Sequence, residues 1–330
     1  MLSRAVAKCS RSPVVRAGRS TRAPGLAGAA SFSTSRPSQL TSISPSRDEL
    51  LNARLSQRHT QSALEAFHRD GLVVIEDVVS HKDIDRLNDV MVRDAHRLMA
   101  RGKDGPFNYN LGNLQQSPPY DPDVFKRNIF VNPFATQLTS AILGGRPTMS
   151  FVSANTAVKA EEGQPVHSDA DFEHPKIPFA AVVNVGLVDM FPTNGSTQVW
   201  LGTHRDTDLS CQEGAHGERA SGRIRRDLLD KRAEVSPPVQ PTIKKGSIII
   251  RDLRLWHAGM PNRTDTIRVM LAMIHFAPWY RQRMTLRLPR GLRPVLESDP
   301  NLGVAAEWVD EEVDHLQAMY GNAFDFSQDE

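Results

Sequence analysis

The sequence predicts a mainly β protein, an antiparallel sandwich or jelly roll, with helices ahead of the sheet. Two features of the second half support this prediction. Short β-rich segments recur there with turns between them, over residues 148–158, 164–168, 178–188, 196–201, 239–243, 247–252 and 267–276. Alternating strand–helix units are missing from the same half, which disfavours a Rossmann-type parallel sheet.

The first half is predicted to supply the flanking helices. Apolar spacing and end signals place helices over residues 59–69, 80–100 and 133–143 and a strand over 72–79. Gly71 is expected to end the first of these helices. Residues 101–124 are loop-like with scattered aromatic side chains. Such a segment is typical of a lid or binding loop, or else of a surface excursion pinned by its aromatic residues.

Composition and charge narrow the class of protein. The chain has 330 residues, of which 39% are hydrophobic and 24% are charged, as in an ordinary globular protein. No uninterrupted apolar run approaches the ~18 residues of a membrane helix, so no integral membrane segment is expected. Beyond residue 47 the chain carries 32 basic and 38 acidic side chains. This negative balance makes nucleic acid a poor partner.

The first 47 residues differ in composition from the rest of the chain. They contain eight basic and no acidic side chains, and they are rich in Ser and Arg. This is the composition of a mitochondrial transit peptide. We therefore expect a matrix-targeting peptide over residues 1–47, followed by a single domain over 48–330 with its core at about 60–285. The alternative is a disordered basic tail on a cytoplasmic protein.

Two His-x-Asp triplets are candidates for a metal site, His167 with Asp169 and His204 with Asp206. Residues i and i+2 of a strand point to one face, so each triplet can offer an imidazole and a carboxylate to one ion. A third ligand from a distant strand completes a 2-His-1-carboxylate set, which is typical of non-haem Fe(II) oxygenases. The first triplet precedes a strongly apolar strand, whereas the second opens into a charged segment. The third ligand is best assigned to His257, which follows a strand and Trp256.

Arg268 stands near the start of the apolar strand predicted over residues 267–276. A half-buried guanidinium there needs an anion, and the carboxylate of a cosubstrate suits its fork of donors. The alternative is an internal ion pair with Asp252 or Asp265 that holds two strands together.

His275 is an alternative third ligand. It lies seven residues after Arg268 and therefore on the opposite face of the same strand. Both side chains cannot line one cavity unless the strand contains a bulge.

In this order, the motifs resemble those of the phytanoyl-CoA dioxygenase (PhyH) family of Fe(II)/2-oxoglutarate oxygenases. The resemblance rests on His167-x-Asp169, the run Asn-Gly-Ser-Thr to Gly-Thr-His204, Trp256-His257 and Arg268. It extends from about residue 60 to 285 and is similar to the fungal branch, several members of which tailor secondary metabolites.

The resemblance implies a double-stranded β-helix, a jelly roll of the cupin type, with flanking N-terminal helices. It also implies Fe(II), 2-oxoglutarate and O2 as cofactor and cosubstrates. The residues that match the family's site are the metal ligands His167, Asp169 and His257 and the cosubstrate contacts Arg268, Gln164 and Thr197. Two positions depart from the family's pattern: Ser168, where relatives often have Gln, and Gly259, where some have Ser.

The expected function is therefore a dioxygenase that oxidises a C–H bond of a small organic molecule and releases succinate and CO2. A cupin-like protein that binds a small molecule without turnover is the alternative. A zinc hydrolase is disfavoured because the sequence contains no His-Glu-x-x-His or comparable helix motif.

Overall fold

The structure, a computed structural model, describes residues 40–214, 222–317 and 324–328. Its helices are α1 (Arg47–Leu51), α2 (Gln57–Asp70), α3 (His81–Met99), α4 (Arg127–Phe130), α5 (Pro133–Leu143), α6 (Arg226–Val235) and α7 (Arg293–Leu296). Its strands are β1 (Ser42–Ile43), β2 (Leu72–Ile75), β3 (Asn113–Gln116), β4 (Thr148–Ala157), β5 (Ala180–Gly186), β6 (Thr197–Val199), β7 (Gln212–Glu213), β8 (Arg223–Ile224), β9 (Ile248–Asp252), β10 (His257–Gly259), β11 (Arg268–Phe276), β12 (Leu286–Pro289), β13 (Gly303–Val304) and β14 (Ala306–Val309).

The three predicted helices are present as α2, α3 and α5. Helices α2 and α3 begin at serine caps, Ser56 and Ser80, whose hydroxyls accept hydrogen bonds from backbone N–H groups of the first turn. Helix α2 ends at Gly71, which adopts a left-handed conformation with φ +79°. The N–H of Gly71 donates to the carbonyl of Phe67, so the glycine satisfies one of the last free carbonyls of the helix.

The strands form one eight-stranded mixed sheet in the order β1-β2-β9-β5-β11-β4-β13, with β3 also paired to β4. Strand β11 lies in the middle and pairs antiparallel with β4 and β5. Pairs β1–β2 and β4–β13 are parallel. Three two-stranded sheets, β6–β10, β7–β8 and β12–β14, accompany it. A sheet-rich fold with helices ahead of the main sheet is thus confirmed.

Two of the predicted strands are not strands in the structure. Residues 164–168 form only isolated bridges, through His167, and residues 239–243 only through Val239 and Ile243. Prolines explain both differences. Pro165 lies in the first segment and a Pro-rich stretch flanks Val239, and a proline has no N–H to donate to a ladder.

The loop predicted over residues 101–124 contains strand β3, which was not predicted. Its residues, Asn-Leu-Gln-Gln, lack the β-branched and aromatic side chains that indicate a strand. They pair with residues 154–157 of β4, because the edge of β4 offers free backbone N–H and C=O groups beside these residues.

The folded unit begins before residue 48. Strand β1 pairs with β2 through Ser42 and Ile43, and the side chain of Ile43 is buried. These two residues belong to the segment predicted as a transit peptide. Residues 1–39 of that segment lie outside the described part of the chain. No helix in the described ranges is both long and apolar enough to cross a membrane.

Strand β11 separates the helices from the cavity that contains the candidate site. Val269, Leu271 and Met273 pack in the hydrophobic core with the helices, whereas Met270, Ala272 and Ile274 line the cavity. This alternation follows from the two-residue period of a strand.

His275 lies on the helix side of β11. Its Nδ1 is 2.9 Å from the hydroxyl of Thr139 in α5, and the side chain is almost fully buried. Burial lowers the pKa of His275 to about 4, because the charged imidazolium loses its hydration. The residue is therefore neutral in the folded protein above this pH.

We expect this histidine to make the protein less stable in mild acid. Between the folded-state pKa of about 4 and the unfolded value near 6.5, the unfolded chain binds a proton that the folded chain does not. The free energy of unfolding therefore decreases as the pH is lowered through this range. His275 should account for about 2 kcal/mol of lost stability between about pH 7.5 and about pH 5. Urea unfolding of the wild type and of His275→Gln at both pH values measures this contribution. The variant should lose less stability in acid than the wild type; equal losses would contradict the assignment. His96→Gln, which removes an exposed histidine, is the control.

Candidate metal centre

His167, Asp169 and His257 meet at the edge of a cavity. One potential ligand atom from each lies within 4.8 Å of the other two. The Nε2 atoms of both histidines are 3.6 Å from Oδ1 of Asp169, and the imidazole centroids are 4.3 Å apart. Both histidines are buried, whereas Asp169 is partly exposed. The structure therefore brings the three predicted ligands together, and we call them the His–Asp–His group.

Backbone pairing places the two histidines side by side. The N–H of His167 donates to the carbonyl of His257 at 2.9 Å, and the N–H of His257 donates back to His167 at 3.0 Å. Strand β10, which begins at His257, also pairs with β6. Asp169 follows His167 by two residues, which returns its side chain to the same side of the chain.

The Nε2 atom of each imidazole is free to bind a metal. Nδ1 of His167 is 2.9 Å from the carbonyl of Pro165, and Nδ1 of His257 is 2.9 Å from the carbonyl of Leu255. A carbonyl only accepts hydrogen bonds, so both Nδ1 atoms carry the proton. The lone pairs therefore lie on the two Nε2 atoms, which face Asp169.

The electrostatics of the group suit a divalent cation. Burial and the neighbouring Arg251 lower the pKa of His257 well below its usual value. Burial alone would raise the pKa of Asp169, but Arg251 and the two histidines together lower it well below its usual value. The group thus offers two imidazole nitrogens and a carboxylate, a donor set that fits Fe(II) and leaves coordination positions open.

Arg251 was not predicted as a site residue. Its Nη2 donates to Oδ2 of Asp169 at 2.5 Å, and its Nε donates to Oδ1 of Asn184 at 3.3 Å. The side chain lines the cavity and is buried. The signal that could have identified it is the one used for Arg268, a cation inside an apolar strand, since Arg251 follows three isoleucines in β9.

Arg268 is fully buried and bonds only to carbonyl oxygens and an amide in the described chain. Its Nη1 donates to the backbone carbonyl of Asn155 at 3.1 Å, and its Nη2 donates to the carbonyl of Gly195 at 2.9 Å. Burial lowers the pKa of Arg268 to about 10. Arg268 is not itself among the residues that line the cavity, but its hydrogen-bond partner Asn155 is.

The predicted alternative for Arg268, an internal ion pair, is wrong. Asp252 pairs with Arg254 at 2.7 Å, and Asp265 pairs with Lys159 at 2.7 Å. Both acids are therefore engaged elsewhere, and Arg268 has no ion pair among the residues that the structure describes.

Gln164 and Thr197 both line the cavity, as predicted from the resemblance. Oε1 of Gln164 accepts a hydrogen bond from the N–H of Gly259 at 2.9 Å. A Cβ atom at position 259 would lie 2.6 Å from this oxygen, so a serine there would displace Gln164. The two positions are therefore coupled: glycine at 259 makes room for the glutamine. The hydroxyl of Thr197 lies 3.9 Å from the sulfur of Met270.

The cavity has a volume of about 170 Å³ and a mixed lining. Amide side chains of Asn108, Gln115 and Asn184 face it, as do three phenylalanines, Phe151, Phe324 and Phe326. The predicted lid or binding segment, residues 101–124, supplies part of this wall. Its Tyr109 adopts φ +68°, and its ring lies 5.0 Å from the imidazole of His167.

The other candidate ligands lie apart from the His–Asp–His group. His204 is buried against Gly71 and is in no potential metal-binding group of the described residues, which agrees with the choice of the first triplet. His275 is on the opposite face of β11 from the cavity, as the seven-residue spacing predicts. A register shift does occur between Ile274 and His275 in the pairing with β4, but it does not turn His275 into the cavity.

A β-rich fold with a buried 2-His-1-carboxylate set defines a candidate non-haem iron oxygenase. The chain belongs to the phytanoyl-CoA dioxygenase (PhyH) family, which it matches over residues 67–270. The family is that of a dioxygenase, and the His–Asp–His group could hold its iron.

Among curated proteins, the chain is similar to dioxygenase af480 from Aspergillus fumigatus. The two are 29% identical over 181 residues, which cover 53% of this chain and 52% of that protein. The match thus spans about half the length of the relative.

Three solved structures have a similar fold. AviO1 from Streptomyces viridochromogenes Tue57 is 18% identical with a TM-score of 0.51, and the match covers 69% of this chain and 99% of that one. The epimerase SnoN, in complex with Fe3+, alpha ketoglutarate and nogalamycin RO, is 18% identical with a TM-score of 0.52, over 67% and 84% of the two chains. EctD from S. alaskensis, with 2-oxoglutarate and 5-hydroxyectoine, is 21% identical with a TM-score of 0.50, over 68% and 76%.

We expect alanine at His167, Asp169 or His257 to lower Fe(II) affinity more than about hundredfold, because losing a ligand costs more than losing an outer-shell partner. Anaerobic Fe(II) titration of the full chain measures this affinity. His204→Ala is the control, since that histidine is equally buried but lies outside the group. Loss of iron in His204→Ala, with iron retained in His167→Ala, would show that the wrong triplet was chosen.

Proposed function

We propose that the protein is an Fe(II)/2-oxoglutarate-dependent dioxygenase that oxidises a C–H bond of a small organic molecule and releases succinate and CO2. The observation that carries the proposal is the His–Asp–His group at a cavity, together with a buried arginine, Arg268, that bonds to the cavity-lining Asn155 and has no acidic partner among the described residues. The first feature is a metal site with open positions, and the second is a binding site for a carboxylate.

The proposed fold is a double-stranded β-helix. The long mixed sheet is one layer, and the short pairs β6–β10 and β7–β8 belong to the second, shorter layer. The bridges from His167 to His257 and Arg223 join these two pairs. The fold similarity to AviO1, SnoN and EctD supports this assignment.

In the proposed mechanism the chain binds and orients the reactants. The His–Asp–His group holds Fe(II) through Nε2 of each histidine and the carboxylate of Asp169. When bound, the metal and 2-oxoglutarate supply the O2 activation that protein side chains lack. Arg268 binds the distal carboxylate of 2-oxoglutarate, and Gln164 and Thr197 provide polar contacts to it. Burial of the histidines and of Arg268 keeps water away from both ends of the cosubstrate.

The cavity wall suggests the kind of substrate. Amide side chains on residues 108, 115 and 184 can bind oxygen or nitrogen atoms, and the three phenylalanines can bind an apolar ring or chain. Such a lining favours a small molecule with both polar groups and an apolar portion, as in a secondary metabolite or an acyl-derived compound. A substrate of this kind fixes its reacting C–H by contacts on two sides.

The decisive experiment is anaerobic reconstitution with Fe(II) and 2-oxoglutarate, followed by exposure to O2 and a screen of small-molecule mixtures. We expect succinate formation coupled to O2 uptake, increased by the mixture that contains the substrate. His257→Ala is the inactive control. A protein that binds Fe(II) and 2-oxoglutarate but forms no more succinate than this variant would instead be a binding protein without turnover.

We expect Arg268→Leu to weaken 2-oxoglutarate binding by roughly two to three decades, since an unpaired buried charge costs ~3–5 kcal/mol. Calorimetric titration of the Fe(II)-loaded, oxygen-free protein measures the affinity. Fe(II) binding should be nearly unchanged, and Arg268→Lys should rescue binding only in part, because lysine keeps the charge but not the fork. A large fall in melting temperature with normal 2-oxoglutarate affinity would contradict the assignment.

Mitochondrial matrix targeting by residues 1–47 remains part of the proposal, with the cytoplasm as the alternative. The support is the excess of basic residues without an acid. Because β1 lies at residues 42–43 in the sheet, we expect cleavage upstream of it. A fluorescent fusion of residues 1–47 should enter mitochondria in cells; a diffuse cytosolic signal would show that the segment carries no such address.

A further inference from the structure

Arg251 occupies a special place beside the His–Asp–His group. Two of its nitrogens are engaged: Nη2 donates to Oδ2 of Asp169, and Nε donates to Oδ1 of Asn184. These two bonds hold the planar guanidinium in one orientation. The first bond also occupies Oδ2 of Asp169. The other carboxylate oxygen, Oδ1, lies nearest the two histidines and is left for a metal.

The third nitrogen, Nη1, is buried and has no hydrogen-bond partner in the described part of the chain. A buried donor on a charged group is costly when left unpaired, and native proteins rarely leave one. Since Nη1 and Nη2 share one carbon atom, Nη1 lies close to the Asp169 carboxylate. Arg251 lines both the cavity at the His–Asp–His group and a smaller one that shares His257 and Thr197 with it. An acceptor that Nη1 binds in the first of these lies within reach of groups bound at the metal.

The charges around this nitrogen favour an anion. Asp169 is the carboxylate of the His–Asp–His group and bonds to Arg251; a second carboxylate, Asp171, lines the same cavity outside the group. A divalent ion in the group and the Arg251 guanidinium would together carry three positive charges. Asp169 supplies one negative charge, so two positive charges are left uncompensated within the group. A chelating carboxylate neutralises them better than water does.

We infer that Arg251 is a second anchor for the cosubstrate: Nη1 donates a hydrogen bond to the oxo-acid end of 2-oxoglutarate, while Arg268 binds the distal carboxylate. This inference rests on the proposed function. Arg251 is also a positioning residue, because the same guanidinium orients Asp169.

The two arginines can be tested separately with two ligands. Pyruvate has the 2-oxo acid group of 2-oxoglutarate but lacks the distal carboxylate. Both ligands are titrated calorimetrically into the full chain without O2, at Fe(II) concentrations that saturate each variant by its own metal titration. Weaker metal binding is then not mistaken for weaker anion binding.

We expect Arg251→Gln to weaken both pyruvate and 2-oxoglutarate about ten- to hundredfold, the effect of one charge-assisted hydrogen bond. Arg268→Leu should weaken 2-oxoglutarate and leave pyruvate nearly unchanged. Arg251→Lys should retain part of the affinity for both ligands, and it keeps the test valid if the glutamine variant does not fold.

The matched control is Arg254→Gln, which removes another buried arginine paired with an acid, Asp252, but not facing the cavity. It should lower the melting temperature and leave both affinities unchanged. Unchanged pyruvate affinity in both Arg251 variants would overturn the inference. If the wild type binds Fe(II) but neither ligand, the proposed function fails rather than the role of Arg251.

Discussion

The site depends on one pair of backbone hydrogen bonds, those that join His167 and His257. The two residues are far apart in the chain, yet each donates its N–H to the carbonyl of the other. Such a mutual pair places two residues directly opposite each other on antiparallel segments. It sets both imidazoles side by side, and the sequence spacing of Asp169 then adds the carboxylate. The metal-binding geometry is therefore determined by backbone pairing before any metal is bound.

Buried arginines surround this site, and their partners distinguish their roles. Arg254 pairs with Asp252 and fills its own hydrogen-bonding capacity within the protein. Arg251 bonds to the carboxylate of a candidate metal ligand, and Arg268 has only carbonyl and amide oxygens as acceptors among the described residues. Burying a cation without a full acidic partner is unfavourable unless a ligand supplies the missing charge. Arg254 is therefore a structural residue, whereas the incomplete pairing of Arg251 and Arg268 is the basis for the ligand-binding roles that we propose for them.

Much of the main sheet was predictable, because β4, β5, β9 and β11 lie in β-rich segments that turns bound. Two of the strands that were not predicted share a physical cause. Strands β1 and β3 are short, and β3 is polar, so no local pattern identifies them. They are strands because an edge of the sheet offers them hydrogen-bonding partners. Near residues 165 and 239 the prediction failed in the other direction. Apolar residues predicted strands there, but prolines lack the N–H group that a strand ladder requires.

The sequence by itself determined the types and spacing of the candidate ligands and the presence of an isolated cation, Arg268, in an apolar strand. These features depend on neighbours along the chain and on strand alternation, which a sequence displays directly. Only the tertiary structure decided that Arg251 bonds to Asp169, that Gly259 makes room for Gln164, and that Asp252 and Asp265 are engaged elsewhere. Most of these contacts join side chains from distant segments. They arise from how the strands pair and pack. Local sequence patterns do not show which distant side chains this packing brings into contact.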